Sequence, residues 1–400
     1  MTANLDASLQ TTIHKRLEEL PDWNAVAAVG GIYATVDWLR MFARPQDSYL
    51  AIRQGDVILA VAPCVLATEG VLSNFHSSNP QRLFEGGKAP VEIYPVLFCG
   101  PTWGFTNRLL IRGGLEPALR KSVVRALLAA VRELGRREGA KLITFGYLPS
   151  DEMKELVDLD DTLVAVPTEV DCVIGPITSF DAYLADIKQA DRRARGDQAK
   201  RDMRGLAETG LRVDCRRLSE VFDAFCELST RHEQHLGMST TLEEMREHYQ
   251  QMVTHLDART RVFCAWKDDT LLGSALMLSD GEMYYARDFG SDPEVPSRAA
   301  LYFNLMFYEP VRAAVAEGVK AIHYGRTKIF AKGSRGAHGR LLWFVLDPTT
   351  TWDAATRRSL ASAARSRLDR DLAELRTFRD EAQIRAQLEL DTTEQWIDRI

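Results

Sequence analysis

Two stretches of the chain carry apolar residues at helical spacing. Residues 119–136 place Val123, Leu127, Val131 and Leu134 on one face, and residues 298–316 place Leu301, Leu305, Tyr308, Val311 and Val315 likewise. Spacing of three and four residues predicts an amphipathic helix in each. Gly139 and Gly318 follow as helix stops, and a short strand comes next. The sequence repeats at this junction: residues 138–146 read EGAKLITFG and residues 317–325 read EGVKAIHYG. Upstream of each helix the pattern changes to strand, turn, strand. YLAIR and VILAVAPCVL flank Gln54-Gly55-Asp56, while RVFCAWK and TLLGSALML flank Asp268-Asp269. A second turn, Ser279-Asp280-Gly281, leads into EMYYARDF. Each half therefore reads as antiparallel strands, a helix and a further strand. That predicts an α/β (α+β) fold used twice, each unit a mixed, mostly antiparallel sheet flanked by helices.

Helical patterns fill the rest. Ser179 is a candidate N-cap for a helix running to Gly210, and helices are expected again over 219–237 and 240–256. The expected units are thus 1–170 and 171–350, the second with a helical insert at 179–256. Residues 351–400 form a helical extension whose stripe of Leu360, Ala364, Leu368, Leu372 and Leu375 packs against the body. Residues 73–90 have turn residues without periodicity and are expected at the surface.

Composition narrows the function classes. The 400 residues are 46% hydrophobic and 26% charged, as in ordinary globular proteins, and the net charge of −6 disfavours a generally basic nucleic-acid binder. A local basic patch stays open. Arg192, Arg193, Arg195, Lys200, Arg201 and Arg204 read either as a solvated face with local ion pairs or as a patch for RNA or an acidic carrier protein. No uninterrupted apolar run reaches 18 residues, and the polar N-terminal segment has no secretory h-region, so a cytoplasmic protein without a membrane span is expected. The scattered cysteines read as reduced thiols. His232 and His235 lack a third ligand in the pattern, so no metal is expected.

Four stretches carry a family resemblance. They are YATVDWLRMFA with its Trp38-Leu39 pair, FDAYLADIKQADRRARGDQAKRDMRGLAETG, LYFNLMFYEPVRAAVAEGVKAIHYG and HYGRTKIFAKGSRG. Together they resemble the tandem GNAT acyltransferases, and within these the Fem-like and cellulose-biosynthesis-type groups. The resemblance implies an N-acyltransferase that forms an amide by direct attack of an amine on an activated acyl group. It also implies an oxyanion donor, a backbone amide where residues 283–289 part from residues 321–325. One stretch departs from the pattern. Where acyl-CoA-dependent members carry a glycine-rich pyrophosphate loop, this chain reads SDPEVPSRAALYF. Pro293 and Pro296 have no N–H to offer, and Asp292 and Glu294 repel phosphate. Three co-substrate donors stay open, with no tightly bound cofactor: an acyl carrier protein, acyl-CoA or aminoacyl-tRNA. Two acceptor classes stay open as well, a small amine metabolite of specialised metabolism and a cell-wall precursor.

Candidate site residues cluster in the second half. His323, Tyr285 and Asp288 are the expected catalytic side chains, His323 because an imidazole titrates near neutral pH. Arg287, Asn304, Arg326, Lys328 and Lys332 are the expected substrate-binding residues, the last three as a flexible basic loop for an anionic ligand. In the first half, Trp103, with His76 and Tyr94, is a candidate lining for a second pocket. The rival class is a non-catalytic protein that keeps the double fold and binds a ligand or partner.

Overall fold

The computed structural model describes residues 8–68, 78–190 and 196–400. Its strands, in chain order, are β1 (Leu9–His14), β2 (Ser48–Gln54), β3 (Val57–Ala67), β4 (Val96–Cys99), β5 (Leu110–Ile111), β6 (Leu142–Pro149), β7 (Val164–Ile174), β8 (Arg212–Arg216), β9 (Thr260–Lys267), β10 (Thr270–Ser279), β11 (Met283–Ser291), β12 (Ala321–Gly325) and β13 (His338–Pro348). Two compact units emerge. The first comprises Met1–Asp171, Arg340–Ala373 and Arg385–Ile400; the second comprises Cys172–Gly339 and Glu374–Ile384. Residues 351–400, expected as one extension, are divided between them.

The first unit's sheet runs β1-β2-β3-β4-β6-β13-β7, with β5 beside β3. The second unit's sheet begins with Cys172–Ile174 of β7 and runs β12-β11-β10-β9-β8. Both sheets are mostly antiparallel. Each contains one parallel pair joined through a helix, β4 with β6 and β11 with β12.

The sequence repeat sits on this parallel junction. In the first unit the helix Pro117–Arg137 ends at Gly139, whose φ is 69°; in the second, the helix Glu309–Glu317 ends at Gly318, with φ of 75°. Glycine enters this left-handed region without the steric penalty a Cβ brings. The next N–H then returns to the helix, from Ala140 to the Gly135 carbonyl at 2.8 Å and from Val319 to the Ala314 carbonyl at 2.9 Å. The lysine N–H that follows starts the parallel ladder. Lys141 donates to the Pro95 carbonyl and Lys320 to the Glu282 carbonyl, both at 2.8 Å. The shared Glu-Gly-x-Lys is thus one helix-to-strand device used twice.

Three expectations change. The helix predicted from Ser179 to Gly210 is two helices, Phe180–Ala190 and Gly196–Ala207, and Arg192, Arg193 and Arg195 lie outside the described residues, as does His76. The helix over 298–316 starts later and changes winding: Leu301–Phe303 is α-helical, Asn304–Tyr308 is a π turn, and Glu309–Glu317 returns to α. Pro310 has no N–H for the Met306 carbonyl, so the regular ladder is interrupted at this point and a wider turn is accommodated. Finally, the basic segment after β12 is not a flexible loop. It folds into a short helix, Ile329–Gly333.

Gly205 marks where the helix Gly196–Ala207 meets the segment before the long helix. A Cβ placed there would lie 2.0 Å from the Arg298 carbonyl oxygen. Gly205→Ala is therefore expected to cost about 1–3 kcal/mol of unfolding free energy through overpacking. Gly210→Ala, where a Cβ would meet open space at a φ of 69°, is expected to cost about 1 kcal/mol. Urea unfolding of the two variants checks the ranking, and an unchanged midpoint for Gly205→Ala would contradict the packing described.

Candidate active site

The parallel pair of the second unit holds together for only three residues. Met283, Tyr284 and Tyr285 pair with Ala321, Ile322 and His323, and beyond them β11 and β12 part. A bulge sits at the parting. Against β10, Leu276 faces Asp288 while Met277 faces Ala286, which leaves Arg287 as the extra residue. Such a bulge re-aims the strand and the side chains that follow. Past it, Phe289 and Ser291 form one wall of a cavity of about 380 Å³. The other walls are the segment from Asp292 to Ala300, the start of the long helix at Leu301–Phe303, and Gln198 and Asp202 of the helix Gly196–Ala207.

That cavity's mouth differs from a phosphate cradle in its donors. Glu294 donates its N–H to Asp292 Oδ1, and the Val295 N–H goes to the Asp292 carbonyl. Ala299 and Ala300 donate theirs to the carbonyls of Pro296 and Ser297. With Pro293 and Pro296 also lacking donors and the Asp292 N–H given to the Leu272 carbonyl, most of the segment's backbone donors are already used. Asp292 is ion-paired with Arg231 at 3.3 Å.

One buried network holds the cavity's inner wall. Arg335 Nη2 donates to Asp202 Oδ2 at 2.8 Å, Arg335 Nε donates to Tyr308 Oη at 2.7 Å, and Tyr308 Oη donates to Asp202 Oδ2 at 2.8 Å. Gln198 donates to the other Asp202 oxygen at 2.7 Å. The Arg335 guanidinium lies 3.7 Å from the centre of the Phe303 ring, a cation–π arrangement. Burial raises the Tyr308 hydroxyl well above the ordinary phenol range, so it acts as a neutral donor.

The residues at and around the site divide into three groups, two of them expected from the sequence. His323 and Tyr285 are adjacent across β11 and β12, with ring centres 5.7 Å apart, and share one face of the sheet. Both are buried. Tyr285 Oη donates to Asp280 Oδ2 at 2.7 Å, back toward the turn that precedes the strand. Tyr284 and Tyr324 occupy the opposite face, where Tyr324 stacks on Phe307 at 4.5 Å. Asp288 and Arg287 stand at the bulge. Asp288 accepts from Tyr249 Oη at 2.7 Å and from the Phe289 N–H. Loss of water contact, and then the Arg287 charge, hold His248 below the usual imidazole value.

The second group is built into the scaffold. Asn304 is buried, and its Nδ2 donates to the carbonyls of Asp202, Ala299 and Ala300, which ties the cavity's walls together. Lys332 is buried too. Its Nζ donates to the Gly325 and Arg326 carbonyls at 3.0 and 2.6 Å, so its charge serves the end of β12 rather than an open basic loop. Arg326 is buried beside it. Lys328 is exposed, at a φ of 49°. Trp103 lies in the first unit, half exposed, stacked on Phe42 at 5.4 Å.

The third group escaped the sequence reading. Asp202 was hidden in a charge run. Its place on the stripe Ala199, Asp202, Leu206, all three buried, is the signal that sets it apart from a solvated ion pair. Arg335, Phe289 and Ser291 carry no such pattern.

The first unit closes the same position. Past Cys99 the chain turns at Gly100, and Asn107 returns to donate its N–H to the Tyr147 carbonyl at 3.0 Å. Arg108 and the Leu109 N–H both bond the buried Glu152 carboxylate at 2.6 Å. A Cβ on Gly100 would lie 1.7 Å from Asn107 Nδ2. Only about 10 Å³ of cavity is left between Cys99 and Phe145, room for one water at most.

The profile of the FemAB-like family, described as peptidoglycan biosynthesis/recognition, matches residues 86–383. The chain belongs to the FemAB-like family. No curated protein matches the sequence. Among solved structures it is similar to FemX, with a TM-score of 0.55 and 13% identity over 84% of this chain and 96% of that one. It is also similar to a conserved protein of unknown function from Bacteroides thetaiotaomicron, at a TM-score of 0.53 and 10% identity over 84% and 99% of the two chains. A third likeness is to the C-terminal domain of a putative lysylphosphatidylglycerol synthetase from Agrobacterium fabrum, at 0.50 and 10% over 88% and 94%. At these identities the likenesses show the fold. This FemAB-like protein is a Fem-like acyl or aminoacyl transferase. Among the described residues no helix is long and apolar enough to cross a membrane.

Removing one partner of the buried Asp202–Arg335 pair leaves the other charge without compensation. Arg335→Met and Asp202→Asn are each expected to lower stability by about 3–5 kcal/mol. The double variant is expected to lose less than the sum of the two. A denaturant double-mutant cycle measures the coupling, and additive losses would contradict the network.

Proposed function

We propose that the second unit of this FemAB-like protein transfers an aminoacyl group from aminoacyl-tRNA to an amine of a peptidoglycan precursor. The observation that carries the choice of donor is the segment from Asp292 to Ala300. Glu294, Val295, Ala299 and Ala300 spend their N–H groups within the segment, Asp292 donates to the Leu272 carbonyl, Pro293 and Pro296 have none, and the two carboxylates disfavour a pyrophosphate. Free acyl-CoA held through its pyrophosphate is therefore a poor match, whereas a donor gripped along a polyanionic backbone needs no such cradle. Exposed cations stand on the elements that wall the cavity: Lys200, Arg201 and Arg204 on one helix and Arg298 before the other. They suit RNA phosphates. The family's description supports the cell-wall acceptor over a specialised-metabolite amine.

In this reading the acceptor amine attacks the ester carbonyl of the aminoacyl group. The C–N bond forms, the C–O bond to the tRNA ribose breaks, and the amine's proton ends on the departing hydroxyl. The parting of β11 from β12 at Tyr285 and His323 leaves backbone amides of β11 unpaired with β12 where the oxyanion would form. Arg287 and Asp288, re-aimed by the bulge, would orient the acceptor, and His323 would relay the proton. The open cavity in the second unit and the filled one in the first support a single transfer site. An enzyme working on aminoacyl-tRNA is expected in the cytoplasm.

Filter binding and thermal shift test the donor. Aminoacylated tRNA is expected to bind and raise the melting temperature, with coenzyme A giving no shift. Substituting Lys200, Arg201 and Arg204 together by Ala is expected to weaken tRNA binding about tenfold or more at low salt. The same change is expected to lower the log–log salt slope by about 2–3. Saturable binding of coenzyme A alone would return the reading to acyl-CoA, and binding of a phosphopantetheinylated carrier protein alone would assign the donor there.

A further inference from the structure

The second unit contains a larger cavity that plays no part in the site described above. It measures about 600 Å³, within the range of small-molecule sites. One wall is the segment Ile174–Ser179 that leaves β7, with the first two turns of the helix Phe180–Ala190, where Ala182 and Asp186 share a face one turn apart. The other is built by Gly336 and His338 at the start of β13 and by Arg379 and Gln383 of the C-terminal segment.

Its charges are specific. Arg379 is buried, and its Nη2 donates to the Ala337 carbonyl at 3.3 Å, which anchors the guanidinium in the wall. Asp186 stands opposite in charge on an exposed helical turn. Both act on His338, which shares the lining with them. Desolvation first, and the Arg379 charge second, lower the His338 imidazole below its ordinary value, so at pH 7 the ring is neutral. The lining thus carries one fixed positive and one fixed negative charge, with hydroxyls of Thr178 and Ser179 nearby. A polyphosphate would face the Asp186 carboxylate here as well as Arg379. A neutral ligand carrying both signs would meet a partner for each.

We propose that this cavity is a binding site for a small zwitterion, an amino acid, whose carboxylate is taken by Arg379 and whose ammonium is taken by Asp186. The guanidinium's planar fork matches a carboxylate, and a carboxylate on a helix turn matches an ammonium. Hydrogen bonds within the unit connect the wall of this site to that of the transfer cavity. Tyr183, from the wall, donates to the Arg335 carbonyl at 3.0 Å, and the Arg335 side chain holds Asp202, which lines the transfer cavity. The binding site is independent of the donor and acceptor proposed above.

Isothermal titration of the full chain with the proteinogenic L-amino acids tests this. At least one is expected to bind with a dissociation constant of about 1 mM or tighter. Its N-acetyl derivative and its amide are expected to bind about tenfold weaker or worse, because each loses one charge. Asp186→Asn, at an exposed position, is expected to weaken binding about tenfold, and Arg379→Lys to weaken it while the chain stays folded. Tyr302→Phe, in the transfer cavity, is expected to leave the affinity unchanged. No binding by any amino acid would overturn the proposal. So would an affinity that Asp186→Asn leaves intact, that Tyr302→Phe removes, or that inorganic phosphate or a nucleotide exceeds.

Discussion

The buried ion pair between Asp202 and Arg335 fixes the geometry of the second unit. It joins three pieces that have no covalent reason to be adjacent: the helix Gly196–Ala207, the π turn at Asn304–Tyr308, and the turn after the helix Ile329–Gly333. Taking two charges out of water is unfavourable by several kcal/mol per ion, and their attraction offsets this only when every remaining donor and acceptor is satisfied. Here Asp202 accepts from Arg335, Tyr308 and Gln198, while Arg335 donates to Asp202, to Tyr308 and to Ser334. Asn304 adds bonds from the same π turn to the backbone at Asp202, Ala299 and Ala300. The loss of about 3–5 kcal/mol on removing one partner is a large share of a domain's total of about 5–15 kcal/mol. The network is therefore a structural constraint that also shapes the cavity where β11 meets the long helix, because Asp202 lines it.

The two units show what that constraint adds. Both use the same helix-to-strand junction, with glycine in a left-handed conformation and a lysine N–H starting a parallel ladder. Both part their parallel strands after a few residues. In the first unit the chain folds back into the opening and Glu152 pins it there through Arg108 and Leu109. In the second unit the opening is held apart by the Asp202 network and remains a cavity. The two units share a scaffold, and the cavity at this position is open in one and nearly filled in the other.

Much of this was legible in the sequence. Period-2 alternation around Gly55 and Asp268 marked the hairpins, and the Glu-Gly-x-Lys repeat marked the junction, since each pattern reflects local backbone demands. The expected cluster of His323, Tyr285, Arg287 and Asp288 does lie together around the parting of β11 and β12, because strand register alone brings those positions side by side. What escaped the reading depended on tertiary burial. Lys332 looks like a loop cation, yet its ammonium is buried on two carbonyls. Asp202 looks like one more charge in a polar helix, yet it is nearly inaccessible. The π turn follows from Pro310 and Asn304 acting with a neighbouring helix, which no local periodicity reports.

Hydrogen–deuterium exchange on the full chain bound to an RNA minihelix carrying a non-hydrolysable 3′-aminoacyl amide would test the central claim most directly. Protection is expected at residues 197–204 and 289–303, around the cavity of the second unit, with no change at residues 96–111 of the first. Protection confined to residues 96–111, or none at 289–303 under saturating RNA, would contradict a transfer site at the end of β11.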